Sequence, residues 1–361
     1  MLGRQVSRAT TKQQLVLFTD RYNEGVRFRG NAPTQYFKIW SILSVKVLDT
    51  TFFSCRELEK LSEPLSPNLA TLQLSNGRLQ GRLRIFSLGA LRLNLLESNQ
   101  SLFLSGARSP EPWTLAVPIN DQTADDPYRA QGIAMPWIGL MGYNTQLRDF
   151  DLRLPPGSRL CTIVMSKEQL KAHHQLQSGG SLTVDRLHNT NQLELRGLSG
   201  QQLRKQLEVL IEDGGEIRDP TTPDQLINII IECFEDTKAR TMGSNKREER
   251  HIGAIELLHW CSNHPREKIT VGALCEELYQ SRTSLFKGCK EHFKCTPHEL
   301  QRAIRLDRVR NLLRQPADRE RLGLKGIRAI ARHFGFESQS HFSKRYQQHF
   351  GAKPQIAASH A

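Results

Sequence analysis

The chain has 361 residues, a formal net charge of +13 and a hydrophobic fraction of 38%. That length suits two domains or three small ones, and with no run of 18 apolar residues it predicts no membrane-spanning helix. The basic balance favours a polyanionic partner, a nucleic acid or an anionic membrane surface.

The opening residues are polar and basic, with no apolar stretch behind them, which predicts no secretory leader and a cytoplasmic location. Seven cysteines are scattered without a C-x-x-C pair, so they read as reduced, buried small hydrophobes, not as disulfides or a zinc site. Residues 10–22 suit a short helix, and 36–53 contain strand-like apolar runs. From 69 to 165 the pattern has period two. Leu79, Gly81, Leu83 and Ile85 alternate with Gln80, Arg82 and Arg84, and Leu91, Leu93 and Leu95 with Arg92 and Asn94. Apolar runs recur at 102–104, 115–119, 150–154 and 160–165, divided by Gly, Pro and Asn turn signals. Short strands at this spacing predict a β-sandwich or barrel.

Helical patterns begin near 166. Ser166 suits the cap of a helix over 167–176, and 201–212 places Leu203, Leu207, Leu210 and Ile211 on one face. Thr222 is the expected N-cap of a third helix with Pro223 at its first position. Residues 235–250 are polar with a Gly-Ser-Asn interruption and read as a linker. The expected organisation is therefore a β-rich domain over 1–200, a helical region and linker over 201–250, and an all-α domain over 251–361. The fold class is α+β.

The basic excess sits in the last part. Residues 251–361 hold 19 Lys and Arg against 10 Asp and Glu, a net +9, which leaves +4 for the other 250 residues. Two similar segments lie within it. In 271–293, Leu274 and Leu278 face inward, a Tyr-Gln-Ser turn follows, and Ser281 caps a helix whose inward face is Leu285, Cys289 and Phe293. In 327–350, Ile327, Ile330 and Ala331 face inward, Gly335-Phe336 makes the turn, and Ser338 caps a helix with Phe342, Tyr346 and Phe350 inward. The two caps are 57 positions apart (338 − 281). Two helices that cross steeply need a small residue at contact and a turn residue four positions on; Ala331 and Gly335 supply both. A repeated helix-turn-helix with a basic outer face is a duplex reader whose second helices enter the major groove.

These residues resemble the AraC/XylS family of transcriptional regulators over roughly the last hundred positions. The second unit carries Ile330-Ala331, Gly335-Phe336, Ser338, Phe342, Lys344, Tyr346, Gly351 and Pro354; between the units, Thr296-Pro297, Arg305 and Leu312-Leu313 fit the connecting helix. Cys275 and Cys289 stand where the family usually has Ala and Phe, and no Tyr-Arg follows Pro354. The stretch from Arg153 and the ending from Tyr346 to Pro354 are loosely similar to regulators of ethanolamine-utilisation operons. The resemblance implies base-edge contacts at Thr283, Phe286, Lys287, Ser343 and Lys344. Ser340 shares that outward face, and Arg282 and Arg345 suit phosphates. Phe286 has a second reading, as a partly buried core residue. Arg308 and Arg310 read as a solvated face, and Arg305 as half of a structural ion pair with Asp307 or a glutamate of the first unit.

The resemblance also implies a sensing or dimerising N-terminal domain, a role that a sandwich or cupin-like barrel of short strands fits. Trp113, Trp137, Tyr143 and Asn144 are candidate effector contacts, the alternative for the tryptophans being simple core filling. The expected partners are promoter or operator duplex DNA, a small-molecule effector, a second copy of the chain and, for an activator, RNA polymerase; no membrane partner is expected. The alternative is a ligand-independent regulator whose N-terminal domain only dimerises. No catalytic motif is present, no cofactor or metal is expected, and an enzymatic cupin-like site is disfavoured because 69–165 contains no histidine. His173-His174 diverge on a helix, His251, His259 and His264 read as structural or surface residues, and Asp125-Asp126 reads as a solvated turn.

Overall fold

Alternation of apolar and polar side chains sets the N-terminal architecture. The computed structural model describes residues 45–108, 112–120, 125–135, 138–178, 190–214, 222–235, 240–242, 248–267 and 269–359. The helix expected at 10–22 lies outside them. Strand β1 (Val45–Phe52) leads into helix α1 (Cys55–Ser62), whose first turn is capped by Ser54. Strands β2 (Ala70–Gln73), β3 (Gly81–Leu88), β4 (Leu91–Ser98), β5 (Leu102–Ala107) and β6 (Trp113–Pro118) follow. Leu83, Ile85, Leu91, Leu93 and Leu95 are buried, as period two on a half-covered sheet requires. Three short strands come next, β7 (Arg129–Ala130), β8 (Ile133–Ala134) and β9 (Gly139–Met141), then the longer β10 (Asp149–Leu154) and β11 (Ser158–Met165).

Helix α2 (Lys167–Ser178) starts where expected, with Ser166 Oγ accepting from the Gln169 amide at 3.3 Å. After β12 (Gln192–Glu194) come α3 (Leu198–Glu212) and α4 (Thr222–Glu235), the latter beginning at Thr222 itself. The segment expected to be a linker contributes a strand instead: β13 (Arg240–Met242) pairs with β12.

Two antiparallel sheets result. One runs β1-β3-β4-β11-β6-β9-β12-β13 and the other β2-β5-β10-β7-β8. The space between them is filled by side chains, among them Phe52, Leu102, Leu104, Tyr128, Leu154 and Leu160. On the large sheet's other face, Trp113, Leu115, Cys161 and Ile163 meet Leu203 and Leu207 of α3 and Leu226 and Ile230 of α4. His173 and His174 serve this packing: His173 Nε2 lies 2.7 Å from Asn228 Oδ1, and His174 Nε2 lies 2.6 Å from Glu235 Oε1.

The C-terminal part is helical: α5 (Glu249–Asn263), α6 (Val271–Glu277), α7 (Arg282–Phe293), α8 (Pro297–Leu313), α9 (Pro316–Arg321), α10 (Gly326–His333), α11 (Gln339–Phe350) and α12 (Pro354–Ser359). Leu274, Leu285, Cys289 and Phe293 join α5 and the start of α8 in one core. Ile330, Ala331, Phe342, Tyr346 and Phe350 join the end of α8 in another. Gly288 permits the first core's close approach, because a Cβ there would stand 2.2 Å from the Arg250 carbonyl oxygen on α5. All seven cysteines are free thiols, five of them buried. Among the described residues, no helix is long and apolar enough to cross a membrane.

The two parts share a packed seam. Leu72 and Phe103 of the small sheet belong to the first unit's core, with Phe103 edge-on to Phe293 at 5.1 Å between ring centroids. Such a pair contributes roughly 0.5–1.5 kcal/mol beyond its buried area. Arg310, expected on a solvated face, is instead buried: its Nη2 donates to the Phe53 carbonyl at 2.7 Å and its guanidinium lies 4.5 Å from the Phe350 ring centroid. A cationic end is accommodated there because the carbonyl and the ring replace its water. Arg314 Nη1 donates to Ser54 Oγ at 2.8 Å and to Glu57 Oε1 at 2.9 Å. Asp126, expected to be solvated, pairs with the buried Arg153 at 2.5 Å, and the Asp125 carbonyl accepts from Lys294 Nζ at 2.7 Å.

Candidate nucleic-acid interface

Each unit is a short helix, a tight turn and a longer capped helix. Ser281 Oγ accepts from the Ser284 amide at 3.0 Å, and Ser338 Oγ from the His341 amide at 3.3 Å. These bonds satisfy amides that the first helical turn cannot pair internally, each worth about 1 kcal/mol. The turns differ. Gly335 takes a positive φ of 84°, which glycine adopts without strain, whereas the first unit places Tyr279 there at 52° with its ring almost fully exposed.

Helix α8 connects the units. Thr296 and Glu299 form a reciprocal capping box at its start, with Pro297 in the first turn. Its 17 residues make a rod about 25 Å long at 1.5 Å per residue. Arg305 Nη2 donates to the Glu267 carbonyl, so it pins the loop before α6 by a hydrogen bond where an ion pair was expected. Burial holds the Arg305 guanidinium below its usual pKa range. Arg308 is exposed, with Nη2 at 3.2 Å from the Ser262 carbonyl.

On α7, Arg282, Thr283 and Lys287 are exposed. Phe286 is half-buried against the first unit's core, with the Arg282 guanidinium 5.9 Å from its ring centroid. On α11, Ser340 and Lys344 are exposed, while Ser343 and Arg345 are half-buried. Arg345 Nη1 lies 3.4 Å from Gln348 Oε1. Ser343 and Lys344 border an open cleft that also includes Gln347 and Lys353. The chemistry fits duplex contact: lysine donates to guanine acceptors, hydroxyls bond to either base type, and guanidinium groups grip phosphates.

Sequence reasoning passed over Lys290, Lys294, Arg302, Gln347 and Gln348, which border the same surface. Lys290 and Lys294 continue the Thr283–Lys287 stripe at helical spacing, so periodicity from Lys287 could have found them. Arg302 carries no such signal, because it reaches this surface only through the fold.

The proposed effector contacts sit elsewhere. Trp113 is buried, donates Nε1–H to the Tyr143 carbonyl at 2.6 Å and stacks on Phe234 at 5.4 Å. Tyr143 is edge-on to Phe234, with its hydroxyl 2.9 Å from Thr190 Oγ1. Buried Asn144 donates to the Thr190 carbonyl at 3.1 Å and accepts from the Gln146 amide at 2.9 Å. Trp137 lies outside the described residues. Among the described residues no cluster of three or more His, Cys, Asp or Glu side chains could hold a metal.

Residues 274–357 match the family model described as a helix-turn-helix domain. The chain is similar to the HTH-type transcriptional regulator CdhR of Pseudomonas aeruginosa, with 30% identity over 111 residues, covering 31% of this chain and 29% of that protein. Among solved structures, an AraC-type transcriptional regulator from Chromobacterium violaceum is 25% identical over 30% of this chain and 90% of its own, at a TM-score of 0.27. The AraC-like activator CuxR is 15% identical over 75% and 96% of the two chains, with a TM-score of 0.38. ToxT of Vibrio cholerae is 12% identical over 75% and 98%, at 0.27.

Proposed function

We propose that the chain is a sequence-specific, duplex-binding transcriptional regulator of the AraC/XylS type, in keeping with the helix-turn-helix match over residues 274–357. One observation carries this reading: two capped helix pairs hang on a single connecting helix, and each turns a polar and basic face outward. Helices so mounted read successive major-groove segments about 34 Å apart. Thr283, Lys287, Ser343 and Lys344 contact base edges, while Arg282, Ser340 and Arg345 hold the backbone. Phe286 contributes its outer ring edge to a thymine methyl while its inner face packs on the core.

The N-terminal sheets control this reader, by an effector or by dimerisation. The seam supports that role. Leu72 and Phe103 lie within the first unit's core, so a shift of β2 or β5 changes how α7 is held. A thermal-shift screen of metabolites tests effector control, since a ligand that binds the folded sheets raises the melting temperature.

Selection of bound duplexes from a random pool, repeated across salt concentrations, tests the main reading. Enrichment of two half-elements about one helical turn apart is the expected result. Binding without enrichment that vanishes as salt rises would reduce the interaction to phosphate attraction.

A further inference from the structure

Between the two reading helices lies a cleft of about 270 Å³. Its floor is the first half of α8, with Glu299, Arg302, Ala303 and Leu306. Lys290 and Lys294 border it from the end of α7, and Arg345, Gln348 and His349 from α11. Its remaining edge is the turn Leu74–Ser75–Asn76 of the N-terminal part. Four cations and one carboxylate therefore line it, with Lys294 Nζ held by the Asp125 carbonyl. That carboxylate is already engaged: Glu299 Oε2 accepts from the Thr296 amide at 2.7 Å and hydroxyl at 2.9 Å, and lies 3.8 Å from Lys290 Nζ.

Arg302 is the least compensated of the four. It is half-buried and makes no ion pair or hydrogen bond among the described residues. Burial, then the neighbouring Arg345 guanidinium, hold it below the usual arginine range, and the Glu299 carboxylate offsets them only in part. A partly desolvated cation beside a like charge is unfavourable unless an anion is seated with it. His349 adds a second sign. It is 6% exposed, its Nδ1 lies 3.1 Å from Asn76 Oδ1, and its Nε2 is buried without a hydrogen-bond partner among the described residues. The turn is fixed there by the His349 carbonyl, which accepts from the Gly77 amide and from Gln73 Nε2, both at 3.0 Å.

We propose that this cleft seats a phosphate group, gripped by Arg302 from below, by Lys290 and Arg345 from the two reading helices, and bordered by the Ser75–Asn76 turn. Guanidinium forks and ammonium groups arriving from several directions suit a multi-oxygen anion better than a planar carboxylate. Because the seat is built by both parts of the chain, filling it ties the N-terminal sheets to the spacing of the reading helices. The phosphate has two sources. One is the backbone of a bound duplex where it passes between two major-groove segments, and this arm rests on the proposed function. The other is a free phosphorylated molecule, and that arm does not.

The test uses the full chain, with Arg302→Gln, Arg302→Lys and the exposed Lys290→Gln, in two assays. One is fluorescence anisotropy with a random-sequence duplex over a salt series. The other is thermal unfolding with inorganic phosphate against chloride of matched ionic strength. A duplex source predicts about tenfold weaker binding for Arg302→Gln, a salt slope lower by about one, and partial recovery in Arg302→Lys. A free source predicts that phosphate raises the wild-type melting temperature and that the rise is lost in Arg302→Gln and reduced in Lys290→Gln. Wild-type behaviour of both glutamine variants in both assays overturns the seat. If the wild type binds duplex but Arg302 and phosphate do nothing, the seat falls and the DNA reading stands. If phosphate protects through Arg302 but no duplex binds, the DNA reading falls and the seat stands.

Discussion

Acidification should loosen the seam between the two parts, and His292 allows the size of the effect to be worked out. Its ring is 4% exposed, neither nitrogen has a hydrogen-bond partner among the described residues, and the His251 ring lies 4.2 Å away, itself 3.3 Å from Asp151. Burial, then His251, Arg129 and Arg250, push its pKa down to about 2. A base whose pKa is depressed by folding is held neutral, so its stabilising contribution is full above its unfolded pKa of about 6.5 and falls away below it. Between there and pH 5 the loss is about 2 kcal/mol, at about 1.4 kcal/mol per pH unit. His349, lowered to about 4 chiefly by burial and then by Arg310 and Arg302, loses about 2 kcal/mol over the same range. Asp307 acts oppositely. Burial and Glu59 raise its carboxyl to about 6, so acid returns about 1 kcal/mol. The net expectation is a loss of about 3 kcal/mol from pH 7 to pH 5. Urea unfolding at the two pH values measures it. In His292→Leu the acid loss should shrink to about 1 kcal/mol, and at pH 7 the variant should be neutral or stabilised because an unsatisfied polar ring has gone. Equal acid losses in variant and wild type would refute this account of His292.

Three further outcomes follow from the packing and the reading face. Gly288→Ala should destabilise by about 1–3 kcal/mol in urea unfolding, since the clash with the Arg250 carbonyl outweighs the roughly 1 kcal/mol gain in helix propensity; a more stable variant would contradict the close approach of α5 and α7. Phe103→Ala should lower stability by about 3–5 kcal/mol through the cavity left against Phe293; a loss below about 1 kcal/mol would mean the seam is not a packed core. Lys287→Ala should weaken binding to a selected duplex by about 1–3 kcal/mol, and binding to random duplex by less; equal losses on both would make Lys287 a phosphate contact.

Much of the fold was legible because strong periodicity survives in single segments. Leu83, Ile85, Leu91, Leu93 and Leu95 alternate so regularly that β3 and β4 could be located, though not their ends at Leu88 and Ser98, and the serines before α7 and α11 marked both reading helices. Strands β7, β8, β9, β12 and β13 were not legible: at two or three residues each they carry no period, and only neighbouring strands hold them extended. The segment around β13 has linker composition, and pairing with β12 overrode it. The reading face was visible as an outward stripe, but the seam was not. Arg310 looks like any surface arginine until the Phe53 carbonyl and the Phe350 ring are brought to it. Arg302 likewise acquires meaning only when the N-terminal turn closes the cleft.

If one connecting helix holds the two reading helices at a fixed spacing, inserting five base pairs, half a helical turn, between the half-elements of a selected duplex separates what α8 joins. Affinity should then fall by about 10²-fold or more, towards that of a single unit, because α8 cannot follow a rotation of half a turn. Unchanged affinity would mean that the two helices do not read the duplex together.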